Sequence, residues 1–186
     1  MDRKYGSMEY PDYIDSLSAL FIIYKAFDYP NVETWKQNFY FFILLVNGIS
    51  SCLAHSPLID KYLPKFSYLM DQIDLYSIAV TLVISPYFVS SMPLLVKLIL
   101  IFFNFTFSIK LIQMNIIDLY TGFFIYPVIT IICIFYYYKQ FDVYTILISC
   151  LALFFKVNQK VKFFHSLWHI FGTIMLRQIY YKLASI

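Results

Sequence analysis

The chain has 186 residues, 61% hydrophobic and 22% aromatic, with only 13% charged and a net charge of +3. A water-soluble domain of this size carries about a quarter charged residues, so the composition argues against an ordinary soluble globule and for a bilayer as solvent. The small positive charge is dispersed rather than blocked, which argues against nucleic acid as a partner.

Residues 1–13 read as a polar tail with Arg3, Lys4, Glu9 and Asp12, without a small-residue cleavage pattern, so the first apolar run is expected to be retained. Apolar runs bounded by Pro, Asn, Asp or Lys then predict about seven spans. The first covers about Ile14 to Phe27. After the Tyr29-Pro30-Asn31 turn, the second runs from about Trp35 to His55. A polar stretch with Pro57, Asp60, Lys61, Pro64, Lys65 and Asp71 reads as a loop, and the third span is expected to begin near Asp74 and end near Tyr87.

Pro93 to about Lys110 makes the fourth span, and Asn115 and Asp118 mark a turn. About Leu119 to Tyr138 makes the fifth, and Val143 to Phe155 the sixth. Lys156 to Lys162 reads as a basic loop before the seventh, about Phe163 to Tyr181. The expected fold is all-α, with residues 1–186 forming one polytopic bundle of about seven transmembrane helices. The basic residues fall in slight excess on the N-terminal side, which favours a cytosolic N-terminus in an endoplasmic reticulum, endomembrane or plasma-membrane setting.

Cys52, Cys133 and Cys150 lie in apolar runs, without CxxC spacing, and read as packing residues rather than disulfides or thiolate ligands. Asn104-Phe105-Thr106 matches a glycosylation sequon, but its mid-span position discounts it.

The chain has three histidines, His55, His165 and His169. His165 and His169 stand four apart, as do Ser51 and His55, so on a helix each pair shares a face. The ends of spans two and six and the starts of spans three and seven lie on one membrane side. Three neutral imidazoles and one water form the open tetrahedral set of a catalytic zinc site. Zinc lowers the pKa of that water to about 7, and Asp74 is a candidate to take its proton. Ser51 is a candidate to hydrogen-bond the water or an oxyanion. Each residue has a plainer role: an interhelical hydrogen bond for a histidine, close packing for Ser51, a helix N-cap for Asp74. Asp71 competes with Asp74 but reads as a loop residue, and Trp168 as an interfacial belt residue.

Ser51 with His55, Asp74, and His165-Ser166-Leu167-Trp168-His169 together resemble the CREST superfamily, which includes alkaline ceramidases, adiponectin-type receptors and myomaker-like proteins. The resemblance implies a seven-helix zinc-dependent hydrolase that cleaves an amide or ester of a membrane lipid, with His55, His165 and His169 as ligands and Asp74 and Ser51 at the reaction. The run Asp74-Leu75-Tyr76-Ser77-Ile78-Ala79-Val80 is similar to the myomaker-like branch. That branch implies the alternative: a receptor-like or membrane-remodelling protein with structural zinc.

Overall fold

The chain opens its first helix with Asp12, whose carboxylate accepts the backbone N–H of Ile14 at 2.8 Å, so an orphan donor of the first turn is satisfied. From there α1 covers Tyr13–Ala26, and its buried Ala19, Ile22 and Ala26 recur at helical spacing on one face. The computed structural model describes residues 12–28, 34–113, 119–140, 142–158, 161 and 163–184. Residues 1–11 with Glu9, the Tyr29-Pro30-Asn31 turn, Asn115, Asp118, Lys160 and Lys162 lie outside the described residues.

The second helix, α2, is Thr34–Ala54, and His55 stands in the turn that follows. Next come the short α3, Pro57–Tyr62, and α4, Pro64–Ala79. The stretch expected as a loop is therefore helical. Pro57 and Pro64 open helices instead of breaking them, since a proline in the first turn forgoes only an orphan N–H, and Ser56 caps α3. Asp74 accordingly lies well inside α4, neither at its start nor at an N-cap, and Asp71 lies on the same helix.

Beyond α4 the helix widens into a π turn, Val80–Ile84, and continues as α5, Ser85–Val89. Pro86 has no N–H and its ring crowds the carbonyl one turn back, a recognised cause of local helix distortion. The Thr81 and Ser85 hydroxyls donate to the Ser77 and Thr81 carbonyls at 2.6 and 2.7 Å across this region. The remaining helices are α6, Leu94–Gln113; α7, Leu119–Tyr137; α8, Val143–Val157; and α9, Phe164–Ala184. Asn104 of the discounted sequon is buried and donates to Tyr87 Oη at 2.7 Å.

All the described secondary structure is helical, as expected. With α4, the π turn and α5 taken as one rod, the described residues hold seven long helical segments. Two of these, Thr34–Ala54 and Pro64–Val89, are long and apolar enough to cross a membrane. The 14 residues of α1 and 15 of α8 rise only about 21–23 Å, short of the ~30 Å hydrocarbon core.

α1 packs on α2 and α9, α8 on α9, α2 on α4, and α6 on α7. At the centre, Tyr40 of α2 and Tyr180 of α9 are each 1% exposed, with ring centroids 5.0 Å apart. The α1–α2 crossing is close at Gly48. A Cβ there would stand 2.6 Å from Ile23 Cγ1 and 2.9 Å from the Ile23 backbone nitrogen. The side chain could turn away, but the backbone cannot without parting the helices. Gly48→Ala should therefore destabilise the bundle by about 1–3 kcal/mol, the usual range for overpacking. Thermal unfolding checks this, and an unchanged melting temperature would contradict the close crossing.

At the end of the bundle remote from the histidines, Asp28 accepts from Lys25 at 2.7 Å and from Arg177 at 3.2 Å. Lys25, and then Arg177, hold its carboxyl below the usual range against the opposing effect of burial. Asp142 caps α8 and pairs with Lys182 of α9, which with the Thr145 N–H draws its carboxyl down to about 2. Both groups are thus ionised throughout the physiological range.

Candidate metal centre

Four helices converge on the three histidines at one end of the bundle. His165 occupies the second position of α9 and His169 follows one turn later, so the helical period aims both rings to one side. The C-terminal end of α2 brings Ser51 and, just past the helix, His55 to the same place. α4 contributes Asp74 from its interior, and α1 closes the site from the fourth side.

All three histidines are buried, at 4%, 8% and 5% exposure for His55, His165 and His169. Their candidate ligand nitrogens all lie within 4.8 Å of one another. His55 Nε2 and His165 Nε2 face each other at 3.2 Å. Metal–nitrogen bonds of 2.0–2.1 Å in a tetrahedron put two ligand atoms roughly 3.3 Å apart, so this separation fits a shared ion. Asp74 Oδ1, on the residue beside the trio, is buried and has no hydrogen-bond partner among the described residues. An unsatisfied polar atom is costly in a core and marks a site that holds something further. The donor set is therefore suited to a divalent ion that accepts imidazole nitrogen.

Asp74 Oδ2 stands 3.9 Å from His55 Nε2, beside the histidine set. The Ser51 hydroxyl stands 3.2 Å from His169 Nε2. The structure thus brings His55, His165, His169, Asp74 and Ser51 together. Asp71 and Asp74 stand three apart on α4 and both are buried, so Asp71 is not a loop residue.

Two further expectations need correction. Trp168 is 6% exposed rather than interfacial: it lies over Gly172, whose Cβ position is 2.8 Å from Trp168 Cζ3. Lys156 belongs to the last turn of α8 rather than to a basic loop, and it is 2% exposed with Nζ 5.5 Å from the Trp168 ring.

Three residues of α1 complete the surroundings. Ser18 Oγ is 2.7 Å from His169 Nδ1, Asp15 accepts a hydrogen bond from the Ser166 hydroxyl, and Ser16 donates to the Cys52 carbonyl at 2.8 Å. Their distance from the histidines in sequence hides this role, since no local spacing links α1 to α9. Cys52 is half-buried, with Sγ 3.6 Å from Ser16 Oγ.

Compared with known proteins, the chain matches no family model, no curated protein and no solved structure.

Proposed function

We propose that the chain is an integral-membrane, zinc-dependent hydrolase that cleaves an amide or ester bond of a lipid, of the ceramidase-like kind that the CREST resemblance implies. The observation that carries this reading is the trio His55, His165 and His169, buried and with ligand nitrogens mutually within 4.8 Å, with the Asp74 carboxylate beside it. Three imidazoles with a fourth position left for water define a hydrolytic zinc site, whereas four protein ligands define a structural one.

The bilayer setting is supported by the outer surface. Leu94, Leu95 and Phe102 of α6 are 69–70% exposed, and Tyr136, Tyr137 and Val143 more than 70%. Apolar surface on this scale calls for a lipid or protein cover. A multi-pass arrangement of the seven segments provides it, with the metal centre near one leaflet.

Bound zinc supplies Lewis acidity and lowers the pKa of a water to about 7. The protein's own groups do the rest. His55, His165 and His169 hold the ion. Asp74 takes the proton of the attacking water and returns it to the leaving group, and the Ser51 hydroxyl donates to charge developing on the carbonyl oxygen. Incubating the purified protein with lipid amides and esters in mixed micelles should release fatty acid. Release should stop with a chelator and resume on adding zinc. No release by zinc-loaded protein across both lipid classes would sink the reading.

One observation favours a second reading. The cavity beside Ser51 and His169, about 20 Å³, has room for about one water and none for a lipid chain. In that reading zinc is structural, clamping α2 to α9 in a receptor-like or membrane-remodelling protein. Zinc removal would then lower thermal stability, and no lipid would be cleaved.

A further inference from the structure

Ser18 belongs to α1, a helix that carries none of the histidines, yet its hydroxyl reaches one of them. With the hydroxyl proton committed to the backbone carbonyl, a donor count gives its role there. The Ser18 hydroxyl donates its single proton to the Asp15 carbonyl at 2.8 Å. Its oxygen, 2.7 Å from His169 Nδ1, can then only accept, so the proton between them belongs to Nδ1. A neutral imidazole protonated at Nδ1 leaves a bare lone pair on Nε2, the atom that faces Ser51 and the other two rings.

The same turn of α1 also holds the frame of the site. Asp15 accepts from Ser166, which lies between the two histidines of α9, and Ser16 donates to the carbonyl of Cys52, between Ser51 and His55. α1 is thus tied both to the ring of His169 and to the two helix ends that carry the ligands.

We propose that Ser18 is a positioning residue of the metal centre: through the chain Asp15 carbonyl, Ser18 hydroxyl, His169 Nδ1–H, it fixes the His169 tautomer and turns Nε2 toward the ion. This rests on the metal-site reading above and adds α1 to it. Groups that orient a ligating histidine through its second nitrogen typically account for 10- to 100-fold in metal affinity.

The test is a zinc titration of the full-length protein in detergent against a competing chelator, with cobalt as a spectroscopic stand-in. Ser18→Ala should weaken zinc 10- to 100-fold and alter the cobalt absorption bands, and Ser18→Thr, which keeps the hydroxyl, should restore both. Ser90→Ala removes a buried hydroxyl that donates to the Tyr87 carbonyl at 2.7 Å, outside the site, and should leave zinc affinity at the wild-type value. Wild-type affinity in Ser18→Ala, or an equal loss in Ser90→Ala, would overturn the proposal. Should Ser18→Ala fail to fold, nitrogen NMR of histidine-labelled, metal-free wild type decides. His169, assigned by the signal lost in His169→Gln, should be protonated at Nδ1, and protonation at Nε2 would overturn the proposal. A wild type that binds neither metal ends the metal-site reading, and this proposal with it. A wild type that binds while Ser18→Ala is unaffected ends this proposal alone.

Discussion

Asp74→Asn is expected to leave zinc in place and to lower lipid hydrolysis by about 10²–10⁴-fold, the usual contribution of a positioned general base. The exchange keeps size and shape and removes only the ability to take a proton. In the proposed site the three histidine nitrogens hold the ion, so zinc content should not depend on Asp74. Turnover and zinc content measured on the same preparation separate the possible roles. Zinc lost together with activity would make Asp74 a fourth ligand and the site a structural one. Activity retained with zinc present would remove Asp74 from the reaction.

His165→Ala has the larger structural consequence. It deletes one of three ligand nitrogens and leaves His55 Nε2 without the partner it faces at 3.2 Å. Zinc binding should fall to background. An ion held by the trio would tie α9 to the end of α2, so wild-type protein should also be stabilised by zinc. A ligand at one hundred times its dissociation constant adds about 2.7 kcal/mol to the folded state. Thermal unfolding with and without zinc should show a clear upward shift for wild type and none for His165→Ala. A mutant that still gains stability from zinc would mean that the ion binds elsewhere.

The histidine spacing was legible because it is local. Two residues four apart on a helix share a face whatever surrounds them, so His165 and His169 could be paired before any fold was known. Bringing His55 to them required only that the intervening helices alternate in direction. The start of α4 was not legible in the same way. Pro57, Pro64 and the charges between them have the composition of a loop, but each proline occupies a helix start, where it is tolerated, and Ser56 supplies a cap. As a result Asp74 is an interior helical residue held beside His55, not a residue at a boundary.

Lys156 and Trp168 misled for a related reason. A lysine after an apolar run reads as a loop charge and a tryptophan near a span end as an interfacial anchor, and both are buried because α8 and α9 pack together here. Asp15 and Ser18 are the hardest case. They act on α9 across 151 positions of sequence, and only tertiary packing reveals that contact.

In the proposed site His55, His165 and His169 hold one divalent ion. The most direct test is elemental analysis of freshly purified, folded wild-type protein in detergent, prepared without added metal or chelator. The account predicts about one zinc per chain. Folded protein that carries no zinc, and takes up none when it is supplied, would contradict it and leave the three histidines as packing residues of the bundle.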